Sequence, residues 1–198
     1  MPAAAHLRRL RVSLEGSITL GELTARLGRD GAGLLVVLVS VPFLHPFPMA
    51  GLSVPVGLLI TATGVQLALG RETPYLPRLV ADKRLEPASV QRILAAAERL
   101  LAFLERFARP RLRFAVRELR VLGVAIAVTG FVFALPLYLP FGNMLSAMGL
   151  VLMGLGLLEE DGLLASLGLM LAAASLAYHI AGVALAWEGL AALARMRP

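Results

Sequence analysis

Side chains able to do chemistry are sparse in this 198-residue chain, and most of them interrupt apolar stretches. His45 stands in the run Pro42-Phe43-Leu44-His45-Pro46-Phe47-Pro48. Its imidazole suits a proton, a phosphate or a sugar hydroxyl; its plainer role is to bond a carbonyl freed by the prolines. Gln66 lies beside Gly64, and Asn143 follows Pro140. Their amides suit a polar headgroup, or backbone left unpaired where a helix breaks. Glu159 and Asp161 border an apolar tract and suit either proton coupling or an ordinary helix end. His179, with Tyr178 and Ser175, reads as interhelical hydrogen bonding. Polar groups in hydrocarbon are expensive, so each is a functional candidate by default. The candidate ligand-binding set is His45, Pro46, Pro48, Gln66, Asn143, Glu159 and Asp161.

No catalytic constellation accompanies them. Ser53 lacks a Gly-x-Ser-x-Gly setting, and residues 28–33 offer no lysine for a phosphate loop. With zero cysteines there is no thiol nucleophile and no thiolate metal site. The three histidines include no i,i+4 pair. Neither an enzyme nor a metal or other cofactor is expected.

The elements that carry these residues follow from composition. The chain is 58% hydrophobic and 16% charged, with a mean hydropathy of +0.79. Soluble domains run at about 45–50% apolar and about 25% charged, so this is not one. The net charge of +6 suggests nucleic acid, but the hydrophobicity argues against it. All nineteen basic residues fall in three blocks: five in residues 1–29, twelve in 71–120, and Arg195 with Arg197. Between them run uncharged tracts of 40, 38 and 26 residues at 31–70, 121–158 and 162–187. Each exceeds the roughly 20 residues that cross a bilayer core. An all-α integral membrane protein is the reading.

The positive-inside rule places residues 1–29 and 71–120 on the cytoplasmic side. The tract between them therefore leaves and returns, as a hairpin. Three prolines within residues 42–48 cannot continue a helix, and such backbone survives at membrane depth only when shielded. The first arm, residues 31–41, is too short to cross alone. A re-entrant hairpin is favoured over two full spans. The second tract repeats the first. Pro42, Pro46 and Phe47 match Pro136, Pro140 and Phe141 at an offset of 94; Gly57, Gly64 and Gly70 match Gly149, Gly156 and Gly162 at 92. Paired broken segments of this kind point to a transporter-like or substrate-cradling site.

Five segments result: an N-terminal cytoplasmic or interfacial helix in 1–30, hairpin repeat 1 in 31–70, a basic segment in 71–120, hairpin repeat 2 in 121–162, and a transmembrane helix with its tail in 163–198. Thr19 and Glu22 have capping-box spacing for the first helix. Residues 87–108 form a mixed-charge amphipathic helix, which Arg109-Pro110-Arg111 ends. Arg92, Arg99, Arg106, Arg109 and Arg111 are its expected contacts with anionic lipid or a partner. The last tract is a single span with Trp187 as interfacial anchor, and its small residues make a homodimer plausible. If the second tract also returns, this span leaves the C-terminus outside, which Arg195 and Arg197 oppose.

Several motifs resemble the ExoD family of bacterial membrane proteins. They are Pro46-Phe47-Pro48-Met49-Ala50-Gly51-Leu52-Ser53, Gln66-Leu67-Ala68-Leu69-Gly70-Arg71, Pro74-Tyr75-Leu76-Pro77, the segment from Glu105 to Arg111, Pro140-Phe141-Gly142-Asn143 and the segment from Gly156 to Gly162. They occur in family order across residues 17–190. Ala50, Tyr75 and Glu160 replace the family's proline, tryptophan and arginine. The resemblance implies involvement in exopolysaccharide synthesis, in a bacterial inner (cytoplasmic) membrane, and supplies no biochemical activity. The leading expectation is binding or movement of a polar-headed lipid or lipid-linked sugar. Its alternatives are a non-transporting scaffold or regulator that docks a polysaccharide-synthesis protein through residues 88–109, and a proton-coupled ion exchanger.

Overall fold

A computed structural model describes residues 8, 18–19, 21–22, 31–44, 51–71, 82, 84–88, 91, 95, 98–99, 102, 119–136 and 139–195. Among them lie five helices of ten residues or more: α1 (Gly31–Ser40), α2 (Ser53–Ala68), α3 (Leu119–Ala134), α4 (Gly142–Leu158) and α5 (Gly162–Arg195). Two fall in each broken tract and one fills the last. The protein is built from helices, as its apolar composition requires. Outside the bundle, β1 (Ile18–Thr19) pairs antiparallel with β2 (Arg84–Leu85).

Helix ends follow from local chemistry. Pro42 stops α1, and the chain tightens into a 3-10 turn at Val41–Phe43 because proline offers no amide hydrogen. Helix α2 closes in a Schellman turn. Gly70 takes φ 80°, its amide donates to Leu67 O, and the Arg71 amide donates to Gln66 O. Helix α4 ends the same way, with the Asp161 amide donating to Gly156 O and Glu160 at φ 50° in place of glycine. Asp161 then caps α5: its Oδ1 accepts from the amides of Leu163 (2.8 Å) and Leu164 (3.3 Å).

Small residues decide how the helices meet. Helices α2 and α3 run antiparallel with Gly57 against Ala134, Gly64 against Ala127 and Gly123 against Ala68. A Cβ at Gly57 would lie 2.6 Å from the backbone nitrogen of Ala134. Helices α4 and α5 form a second antiparallel seam with a seven-residue period. Gly142, Gly149 and Gly156 face His179, Ala172 and Ala165, while Gly168 backs onto Met153. A seven-residue repeat keeps one seam facing the partner along the whole pair. Helix α1 crosses α4 where Gly33 meets Gly154, and it is buried on all sides. Ile60, Leu67, Leu122, Ile126, Val36, Leu150 and Met153 fill the shared core.

These pairings put the start of α1, the end of α2, the start of α3, the end of α4 and the start of α5 at one end of the bundle. The two breaks meet at the other end. There Phe43 and Phe133 stack edge-to-face at 4.8 Å over Ala147. Beyond that level α5 continues alone, with residues 183–189 exposed.

The outer surface inverts the usual pattern of a soluble domain. Leu58, Val65, Val124, Phe131, Met170 and Ile180 are exposed, while Ser146, Ser175, Asp161 and His179 are buried. Residues Gly162–Gly189 are long and apolar enough to cross a membrane and lie mostly outside the core. Neither a buried core helix nor an N-terminal leader describes them.

The capping box is present: the Thr19 amide donates to Glu22 Oε2 (3.0 Å) and the Glu22 amide to Thr19 Oγ1 (3.1 Å). That the same Thr19 belongs to a strand pair was not expected. Helix α5 runs to Arg195, beyond the span read as ending near Trp187, because a single Glu188 does not stop an Ala- and Leu-rich helix. Gly70 and Gly162, aligned in the sequence, play different parts here: one is a left-handed helix stop, the other opens α5. Most of the amphipathic segment 87–108 lies outside the described residues. Replacing Gly64 by leucine should lower stability by at least ~1–3 kcal/mol, since overpacking here meets backbone. Denaturant unfolding in mixed micelles measures it; an unchanged midpoint would mean that the α2–α3 seam carries little of the stability.

Candidate functional site

The second break, between α3 and α4, carries the densest buried polar cluster among the described residues. Phe141 precedes α4 in the left-handed region, φ 60°, with its ring exposed. That conformation is uncommon for an aromatic residue, and such outliers collect at functional sites. No side chain caps the start of α4. The Gly142 amide donates back to Leu139 O (3.1 Å) and that of Leu145 to Phe141 O (2.9 Å). The amides of Asn143 and Met144 between them have no acceptor among the described residues.

Helix α5 brings three polar side chains to this turn. Tyr178 donates its hydroxyl to Pro140 O (2.7 Å). Ser146 Oγ donates to Gly142 O (3.1 Å) and lies 2.6 Å from Ser175 Oγ. The Gly142 carbonyl can only accept, so Ser175 is the donor between the two hydroxyls. His179 Nδ1 lies 2.7 Å from Ser175 O. That carbonyl is likewise an acceptor, so Nδ1 carries a hydrogen, and in the neutral ring Nε2 then holds the lone pair. Nε2 faces Gly142, where an added Cβ would come within 3.0 Å of it. His179 is 3% exposed.

The sequence candidates divide by place. Asn143 is half-buried in the uncapped first turn of α4, inside this cluster. Gln66 is half-buried near the end of α2, and Glu159 sits at the end of α4, both at the opposite end of the bundle. Asp161 is buried there as the α5 cap. His45, Pro46 and Pro48 lie outside the described residues, as do Arg92, Arg106, Arg109 and Arg111. Arg99 is exposed, next to Glu98, which Arg8 Nε approaches at 3.9 Å. Ser40, at the break end of α1, buries a hydroxyl oxygen without a partner. Sequence reasoning did not weigh His179 as a ligand group. The sequence signal is its place in the seven-residue row Ala165, Ala172 and His179; that this row meets Gly156, Gly149 and Gly142 is set only by the packing of α5 on α4.

The family model described as exopolysaccharide synthesis, ExoD, matches residues 3–181. The chain belongs to the ExoD family. It is 32% identical over 171 residues to Protein ExoD of Rhizobium meliloti, covering 84% of this chain and 71% of that one. It is 29% identical over 157 residues to an uncharacterized protein of Synechocystis sp., covering 78% and 73%. No solved structure matches. Membership associates this ExoD protein with exopolysaccharide synthesis, and its apolar exterior and long α5 are those of a membrane protein. The whole cluster from Pro140 to His179 falls within the family match.

The Ser146–Ser175 bond should couple α4 to α5. A double-mutant cycle with Ser146→Ala and Ser175→Ala, read by unfolding in micelles, is expected to give about 0.6 kcal/mol, the usual size for such bonds in membrane proteins. A coupling of zero would make the pair an incidental contact.

Proposed function

We propose that this ExoD protein binds a polar-headed membrane lipid, such as a lipid-linked sugar of exopolysaccharide assembly, at the broken ends of its helices. The observation that carries this reading is the buried cluster at Gly142, with its uncapped turn and an imidazole nitrogen that has no hydrogen-bond partner among the described residues. A polar group in hydrocarbon is costly unless it is satisfied or used. The reading assigns no catalytic step.

Helix lengths support a re-entrant arrangement in the inner membrane. At 1.5 Å per residue, α2 and α3 are about 24 Å long, short of the ~30 Å hydrocarbon core. His179 lies about 26 Å along α5 from Gly162, and the uncharged stretch runs about 12 Å further, to Trp187. With the basic end at the cytoplasmic face, the breaks lie just inside the far interface and α5 alone completes a crossing. A headgroup in the far leaflet would meet them at this depth.

A duplicated origin accords with the packing. The first arm of each hairpin packs on the second arm of the other: α1 on α4, and α3 on α2. In the packing, Gly64 against Ala127 corresponds to Gly154 against Gly33, with an offset of 94 for the first arms and of 90 for the second arms, in place of the 92 that pairs Gly64 with Gly156 in the sequence. The left-handed stops at Gly70 and Glu160 are also 90 apart. The first arms point the same way, so these are parallel repeats, related by an axis along the membrane normal.

Because the chain has no cysteine, topology is directly testable. Cysteines replacing Glu160 and Gly189 should react with an impermeant reagent from opposite faces, Glu160→Cys from the cytoplasm. Labelling from one face would remove the single crossing by α5. Native mass spectrometry of protein extracted gently from its own membrane should reveal a lipid or lipid-linked sugar adduct that Asn143→Ala loses. A clean spectrum, or one with only a protein partner, would favour a scaffold.

A further inference from the structure

We infer that the first turn of α4 and the imidazole of His179 form a subsite for a hydroxyl group of the bound headgroup. The assignment rests on the lipid-binding reading above and names the chemistry that the cluster recognises. Nε2 accepts the hydroxyl proton, and the Asn143 and Met144 amides, which have no acceptor among the described residues, donate to oxygen.

Three observations converge on this match. No side chain caps the start of α4, and among the described residues two of its amides have no acceptor at the positive end of the helix dipole. The imidazole orientation is imposed from behind: Nδ1 donates to Ser175 O, and the same serine's hydroxyl is tied through Ser146 to Gly142 O. Gly142 lets Nε2 come against the backbone of the turn, at a position where an added Cβ would press on it at 3.0 Å. Donors and one acceptor therefore meet at a single turn.

This combination selects a hydroxyl over a bare anion. An ionised phosphate offers only acceptors, so it would set lone pair against lone pair at Nε2. A hydroxyl both donates and accepts, and satisfies both sides of the turn. Asn143, half-buried at the rim, offers a carboxamide to a second hydroxyl. Saccharide rings and the glycerol headgroup of phosphatidylglycerol both present such groups.

The test uses the full chain, with His6→Ala, in phosphatidylcholine nanodiscs with nitrogen-15 histidine, and reads the ring nitrogens by NMR. His179→Gln assigns the signals. In phosphatidylcholine alone, His179 should show hydrogen on Nδ1. Added monoglucosyl diacylglycerol should then shift its Nε2 resonance saturably. A shift with phosphatidylglycerol instead would identify glycerol as the hydroxyl source and still support the subsite. Hydrogen on Nε2, no shift with either lipid, or a shift only with phosphatidic acid, would overturn the assignment. Gly142→Ala should weaken glucolipid binding by about tenfold, the worth of one well-placed hydrogen bond. The spectra of the chain that keeps Gly142 decide the matter even if that variant loosens the α4–α5 seam. A lipid adduct in native mass spectrometry with a silent His179 would retain the binding function and reject only this subsite.

Discussion

Backbone-to-backbone approach between helices is the constraint on which the rest of this molecule depends. Lipid offers no hydrophobic force to press helices together, so association relies on van der Waals contact and interhelical hydrogen bonds. Gly57, Gly64 and Gly123 bring α2 and α3 into contact, and Gly149, Gly156 and Gly168 do the same for α4 and α5. The bulky residues are displaced outward: Leu58, Val65, Val124 and Met170 face the surroundings. A close seam leaves little room for polar partners, so hydroxyls bond within their own helices. Thr61, Thr63, Thr129 and Ser166 each donate to the carbonyl four residues earlier.

The two ends of the bundle treat their exposed backbone differently. At the basic end, α2 and α4 fold their last carbonyls into Schellman turns and Asp161 caps α5. At the break end, α4 starts uncapped behind a left-handed Phe141, and Ser40 buries a hydroxyl with no partner. Glu159 and Asp161 drew attention in the sequence as acids bordering an apolar tract, and they lie at the end of the bundle where α4 closes in its Schellman turn and Asp161 caps α5. The open chemistry lies with Asn143 and His179.

The 3.6-residue helix also explains why so few residues make the site. Tyr178 and His179 are adjacent, so they point to different sides of α5, one reaching the Pro140 carbonyl and the other Gly142. Ser175, one turn earlier, supplies its carbonyl to the imidazole and its hydroxyl to Ser146. Three residues of one helix thereby clasp the break of another hairpin. The clasp continues the seam, since Gly142 lies on the same seven-residue row as Gly149 and Gly156.

Much of this was legible in the sequence, because it depends on quantities that are local or additive. Uncharged tracts located all five helices, Pro42 and the region of Pro136–Pro140 located the breaks, and Thr19 with Glu22 located a capping box. Charge blocks and proline chemistry act within a few residues, so no partner need be known. Only the tertiary structure decided which glycines face which helix, since a small residue contributes nothing until another backbone arrives against it. It likewise divided the polar candidates, turning Asp161 into a helix cap and drawing Asn143 and His179 to one turn. Those two residues are 36 positions apart in the chain, and only the antiparallel register of α4 and α5 brings them together.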